Sequence, residues 1–351
     1  MKRTIIPISP VKRRRKKINK LHYRVAVIGG GSWATAIIKI LTDNLDHIYW
    51  WVREEEIAEG ISKFGHNPLY LSSVYIDSSN IIISTDLKKI VSRADYIIVV
   101  TPSAFLKKTL ESLKSSRLTK KKIITAVKGI VPETMQVISD YFKTEFHIPV
   151  SNLAMISGPS HAEEIAREKA TYLTAASSNV EFAETIAKFF TNRYVRTIVS
   201  TDMLGAEMAV VLKNIYALGA GIYSGLGYGD NFIAAYLSNC VKEMTKFVSA
   251  LYPDDSREMS DSVYLGDLLV TAYSSFSRNK QFGTMIGHGL SVRVAQLEMR
   301  MVAEGYYSCR CIHEINKKFN IYIPIAEAVY RILYEGTNVL TEMNSIAERF
   351  A

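Results

Sequence analysis

Short runs rich in apolar residues without strict alternation, separated by polar or amphipathic stretches, mark the chain up to about residue 200. They stand at 48–52, 81–84, 96–100, 122–127, 153–157, 172–176 and 195–199. A strand with one face in water alternates apolar and polar residues. Strands without that alternation belong to a mostly parallel sheet covered on both faces. From Asp202 onward the period changes to that of long helices, at about 203–223, 231–251, 293–303, 308–319 and 324–335. The pattern predicts an α/β plus all-α chain, with a Rossmann-type doubly wound sheet over 23–201 and an all-helical domain over 202–351. No fixed-period repeat is visible, which argues against a solenoid.

The first apolar run opens the stretch 23–41, YRVAVIGGGSWATAIIKIL. It passes through Gly29-Gly30-Gly31 into a helical pattern, so it reads as strand, tight turn and helix. Gly29, Gly31 and Ala34 fill the small-residue places of the G-x-G-x-x-G/A dinucleotide fingerprint. The first permits the turn, the second lets backbone approach a pyrophosphate, and the third lets helix pack on strand. Amides at the start of that helix then face the phosphates. The second strand ends at Arg53, where NAD-selective sites usually carry an acid. A cation there accommodates a 2'-phosphate, so the expected cofactor is NAD(H) or NADP(H), with Glu54 to Glu56 also in reach of the ribose.

Composition changes this picture little. Apolar content of 48% and charge of 22% are those of a globular protein. The net charge of +9 suggests a nucleic-acid partner until it is located: ten of the 43 basic residues and none of the 34 acidic ones fall within residues 1–24. The body is close to neutral. Nucleic acid is therefore an unlikely partner, and residues 1–22 are expected to be a basic, disordered tail lacking the apolar core of a secretory signal. No apolar run approaches the ~20 residues of a membrane span, so no membrane insertion is expected. Three cysteines, an odd and small number, suit a reducing cytoplasm. Cys309 and Cys311 lack a second cluster and are read as packing, with no metal site.

Lys213 is the most informative side chain of the helical part. Ala206, Ala209, Ala217 and Ala220 share its helix face, and Val210, Val211, Leu212 and Ile215 flank it. An ammonium held there in little water has its pKa lowered, which makes a usable acid or base near neutral pH. The alternative reading is a lysine snorkelling over a close helix contact.

From residue 24 to 336 the chain resembles the NAD(P)-dependent glycerol-3-phosphate dehydrogenases, the soluble bacterial type in particular. The resemblance rests on GGGSWATA, Val127-Lys128-Gly129-Ile130, SGPSHAEEIA, Leu212-Lys213-Asn214, GLGYGDN, LGDLLVT, Ser277-Arg278-Asn279 and Val302-Ala303-Glu304-Gly305, in that order. It implies a nucleotide-binding domain joined to a helical substrate domain, with the site in the cleft between them. It also implies dihydroxyacetone phosphate and sn-glycerol 3-phosphate as substrates, a homodimer, and supply of glycerol 3-phosphate to phospholipid synthesis.

The roles implied by the resemblance fall on definite positions. Lys213 corresponds to the catalytic acid/base and Lys128 to a second lysine contacting substrate and cofactor; Asn214 and Asp267 correspond to groups that orient them. Ser277, Arg278 and Asn279 correspond to the phosphate grip, suited by a planar guanidinium; Arg278 also touches cofactor. Gly158 and Ser160 correspond to substrate contacts. Gly29, Gly31, Ser32, Trp33, Arg53, Ala162, Val302 and Glu304 complete the cofactor set. One departure is Ser238-Asn239-Cys240, where the family usually has Thr-Arg-Gly, so an arginine is missing behind the site. Two other readings remain open: a related 3-hydroxyacid or sugar-acid dehydrogenase, and a non-catalytic dinucleotide sensor.

Overall fold

Six strands of like direction form the body of one sheet in a computed structural model that describes residues 20–299 and 303–350. In chain order the first part comprises β1 (Val25–Ile28), α1 (Ser32–Asn44), β2 (Ile48–Trp51), α2 (Glu55–Phe64), β3 (Ile81–Ser84), α3 (Leu87–Arg93), β4 (Tyr96–Val99), α4 (Ser103–Leu110) and β5 (Lys122–Thr125). A small antiparallel hairpin of β6 (Ile130–Val131) and β7 (Gln136–Val137) follows. Then come α5 (Ile138–Phe146), β8 (Leu153–Ser157), α6 (Ala162–Ala166), β9 (Thr171–Ala176), α7 (Val180–Phe190) and β10 (Val195–Ser200). The sheet runs β10-β9-β8-β5-β4-β1-β2-β3. β9 meets β8 antiparallel and is parallel to β10, so the last two strands reverse the sheet's direction.

Burial on both faces explains why the central strands do not alternate, whereas the edge strands β3 and β10 are largely uncovered. In β1, Val25 and Val27 belong to one hydrophobic cluster while Ala26 and Ile28 belong to the other. All four are fully buried. The chain winds from β1 outward to β3 and then returns to β4 on β1's other side. At that switch point the carboxyl ends of β1 and β4 diverge and leave a crevice, the usual ligand position in such sheets.

Beyond Ser200 the described residues hold no strand. The helices are α8 (Met203–Gly225), α9 (Asp230–Leu251), α10 (Asp267–Tyr273), α11 (Arg278–Gly287), α12 (Val292–Glu298), α13 (Glu304–Phe319), α14 (Pro324–Tyr330) and α15 (Val339–Ala347). α8 is the central rod, buried along almost its whole length. It is long and apolar enough to cross a membrane, but 94% of its apolar window is covered by the rest of the protein. Three of these helices, α10, α11 and α15, are too short or too polar to stand out in the hydrophobic pattern. α14 runs on into a π-helical turn over Arg331–Glu335.

α11 packs on α8 almost backbone to backbone. A Cβ added to Gly283 would lie 2.0 Å from the Leu218 carbonyl oxygen, and one at Gly221 would lie 2.1 Å from that of Lys280. Glycine at these places therefore sets how near the start of α11 comes to Lys213. Gly283→Ala is expected to lower the free energy of unfolding by about 3 kcal/mol, the upper part of the range for overpacking. Urea denaturation reads this directly, and an unchanged midpoint would contradict so close an approach.

Candidate active site

The glycine turn comes first because two strand ends shape it. Gly29 has φ +136°, in the region that glycine alone adopts easily, and a Cβ there would sit 2.9 Å from the Val100 carbonyl oxygen. Gly31 caps α1, and nothing lies within 4 Å of where its Cβ would be. Backbone here faces open space at a helix N-terminus, which suits a pyrophosphate. Ser32 and Trp33 begin the helix. The Trp33 indole nitrogen is buried without a hydrogen-bond partner among the described residues. Ala162 is buried at the first position of α6. Arg53 follows β2, exposed, with its Nε 2.9 Å from Glu54 Oε1. These features fit a bound NAD(P)(H), and the Gly31 opening is the observation that carries the fit.

A lysine pair lies beside the turn. Lys128 follows β5 and reaches back, its Nζ 5.5 Å from the Trp33 ring centre, 3.3 Å from Ser160 Oγ and 3.9 Å from Asp267 Oδ2. Ser160 Oγ donates to the Gly158 carbonyl at 2.8 Å, across a turn in which Gly158 has φ +127°. Lys213 lies deeper, with a side chain only 3% exposed. Its amine donates to Asp267 Oδ1 and, at 3.0 Å, to Thr271 Oγ1. Burial lowers the Lys213 pKa to about 7; Asp267 opposes that shift and Lys128 adds to it. His161 is held down by burial in the same way, with smaller contributions from both lysines.

Asp267 and Asn214 are held in place by their neighbours. Asp267 Oδ2 accepts from Ser157 Oγ at 3.3 Å, at the end of β8. Asn214 Nδ2 donates to the Lys128 carbonyl at 2.7 Å, and its Oδ1 accepts from Asn279 Nδ2 at 2.9 Å. Asn279 Oδ1 in turn accepts from the Gly305 N–H at 2.9 Å. This relay ties the Lys128 loop to α8, α11 and α13. Ser277 caps α11, taking the Lys280 N–H, and Arg278 stands exposed at the first position of that helix.

Glu304 opens α13 and reaches the other domain. Its carboxylate accepts from the Ser103 N–H at 3.0 Å and from the Ser103 hydroxyl, so it caps α4 at the carboxyl end of β4. Burial raises the pKa of this carboxyl. Val302 lies outside the described residues.

The structure brings most of the sequence-predicted polar residues together. Lys128, Ser160, Lys213, Asn214, Asp267 and Asn279 are joined by contacts, whereas Arg53 stands apart at the end of β2. Thr271, Ser157 and Ser103 complete the bonding; the sequence assigns a role to none of them, although Ser157 and Ser103 stand at strand carboxyl ends, where ligands of such sheets bind. Thr271 had a usable signal: it lies four residues after Asp267, hence on the same helix face.

Comparison with known proteins identifies the family to which the chain belongs. Residues 24–183 match the family described as NAD-dependent glycerol-3-phosphate dehydrogenase N-terminus, and residues 202–344 match its C-terminus. A glycerol-3-phosphate dehydrogenase (NAD(P)+) of Bacillus licheniformis is 34% identical over 328 residues, covering 93% of this chain and 94% of that protein. One from Streptococcus agalactiae is 36% identical over 319 residues, covering 90% and 93%. The crystal structure of glycerol-3-phosphate dehydrogenase from Coxiella burnetii superposes with a TM-score of 0.86 at 28% identity, covering 93% of this chain and 99% of that one.

The contact between Glu304 and Ser103 makes a definite energetic demand. In a double-mutant cycle of Glu304→Ala and Ser103→Ala, the two changes should couple by about 1–3 kcal/mol, measured by urea denaturation. Additive effects would mean that the carboxylate does not cap α4 in solution.

Proposed function

Because the chain belongs to the NAD-dependent glycerol-3-phosphate dehydrogenase family, we propose that it interconverts dihydroxyacetone phosphate and sn-glycerol 3-phosphate with Lys213 as acid and base. NAD(P)H bound at the glycine turn supplies the hydride. In the reducing direction, Lys213 gives a proton to the oxygen of the former carbonyl as negative charge develops on it. In the oxidising direction the neutral amine takes that proton back. Lys128, less deeply buried and facing Ser160, contacts the substrate's oxygens.

The single observation that carries this reading is the set of partners around Lys213. Asp267 Oδ1 is part of a carboxylate, and the Thr271 hydroxyl gives its own proton to the Asp267 carbonyl at 2.6 Å. Both can therefore only accept from the amine. Two of its N–H groups are taken, and the remaining tetrahedral position is left for the substrate. That position carries a proton when the amine is charged and a lone pair when it is neutral, so one orientation serves both directions.

The phosphate is assigned to the start of α11. Arg278 offers a planar, paired donor, and the first-turn amides of a ten-residue helix add their partial positive charge. Asn279 contributes less than the resemblance implies, since its oxygen and one N–H are held by Gly305 and Asn214. A carboxylate-bearing substrate gains less from such a grip, which favours the phosphorylated ketone over a 3-hydroxyacid. The product sn-glycerol 3-phosphate is the backbone of glycerophospholipids, and its supply is the role proposed for the enzyme.

The direct test is loss of NADH or NADPH absorbance when dihydroxyacetone phosphate is added to purified protein; no turnover with either would end the proposal. The pH profile has a defined sign. Reduction needs charged Lys213, so its kcat/KM should fall as pH rises through about 7, while oxidation should rise through the same range. Profiles of the same sign in both directions would remove Lys213 from the proton step. Arg278→Ala should raise KM for dihydroxyacetone phosphate by about 30-fold, the worth of a charge-assisted hydrogen bond, and raise the cofactor's far less. Equal effects on both would refute the phosphate assignment.

A further inference from the structure

Three buried side chains hold three successive carbonyls of the glycine turn. Trp50 Nε1 donates to the Gly29 carbonyl at 2.7 Å, Asn67 Nδ2 to that of Gly30 at 2.9 Å, and Thr35 Oγ1 to that of Gly31 at 3.0 Å. Trp50, Asn67 and Thr35 are all fully buried. The same Asn67 nitrogen also donates to Thr35 Oγ1 at 2.8 Å, joining two of the three. Its oxygen accepts the N–H groups of Leu69 and Tyr70, each at 3.1 Å, which fixes the amide's orientation. Every hydrogen-bonding position of Asn67 is used, although it lies on a segment without regular secondary structure.

In a trans peptide the carbonyl and the following N–H point in opposite directions. A Gly29 carbonyl drawn inward by Trp50 therefore turns the Gly30 N–H outward, and a Gly30 carbonyl drawn inward by Asn67 turns out the Gly31 N–H. Neither N–H bonds to another described residue. Ser32 N–H is aimed likewise by the start of α1. Glycine is free to rotate its peptide planes, so an unbraced turn would sample orientations that present carbonyl oxygens, not amides, to an anion.

We propose that Asn67 and Trp50, with Thr35 between turn and helix, are positioning residues that aim the turn's amides at the cofactor's pyrophosphate. Neither Asn67 nor Trp50 need touch the cofactor. This rests on the reading of the turn as the dinucleotide site and adds to it the side chains that set its orientation. The affinity that a bare fingerprint delivers would then depend on a residue 36 positions beyond Gly31 in sequence.

The test is calorimetric binding of NADH and of ADP-ribose to wild type, Asn67→Ala and Trp50→Phe, with thermal denaturation of each. ADP-ribose keeps the pyrophosphate and lacks the nicotinamide. Each variant should bind both ligands about tenfold more weakly, the loss of roughly 1.4 kcal/mol from misaligned amides, and KM for dihydroxyacetone phosphate at saturating NADH should stay within about twofold. Variants that lose thermal stability yet bind ADP-ribose as wild type does would overturn the proposal, as would a loss confined to NADH. Should Asn67→Ala fail to fold, Thr35→Val, which keeps volume and removes the hydroxyl donor, and Trp50→Phe, which removes the indole donor at the cost of a smaller ring, decide it. Wild type that binds neither ligand would sink the dinucleotide reading itself; wild type that binds, with variants unchanged, would sink only this inference.

Discussion

Keeping the amine of Lys213 out of water is the constraint to which the other features answer. A buried ammonium is costly, and removing its counter-charge alone would cost about 3–5 kcal/mol. Asp267 must therefore be equally buried, with its second oxygen held by Ser157. Thr271 must present oxygen, not hydrogen, which its bond to the Asp267 carbonyl ensures. Burial lowers the pKa of Lys213 and Asp267 limits the fall, leaving the amine near 7, where both protonation states are accessible.

That pair needs elements from both domains at one point, and the polar ties supply them. β8 contributes Ser157, β5 leads to Lys128, and the helical part contributes Lys213 and Asp267. Asn214 links the Lys128 carbonyl to Asn279, while Glu304 reaches across to Ser103. Each tie leaves from α8, α11 or α13, and the glycine contacts between α8 and α11 set the distances among them. Strand ends that diverge at the switch point thus face a helical wall whose spacing is set by backbone contact.

Much of the sheet was legible because a strand buried on both faces has an unmistakable composition. The β2 run IYWW and the β4 run YIIV need no partner to be read. The reversal of β9 and β10 was not legible, since nothing local in those strands specifies direction. α11 was hidden for another reason: Gly283 and Gly287 are poor helix formers whose value lies in a tertiary contact. Within the site, spaced motifs brought out Lys213, Lys128, Asp267 and Arg278. Thr271 and Asn67 stayed hidden because their importance is set by which of their bonds are already taken. Lys213 itself was ambiguous, since a stripe of alanines suits a snorkelling lysine as well as a buried one; the 3% exposure of its side chain excludes the former.

The most direct measurement is chemical rescue of Lys213→Ala. With NADH affinity retained, turnover should fall by about a thousandfold, the usual worth of a positioned acid or base, and small primary amines added to the assay should restore part of it in order of their basicity. Turnover within about tenfold of wild type, or a deep loss indifferent to every added amine despite intact cofactor binding, would contradict proton transfer at this position.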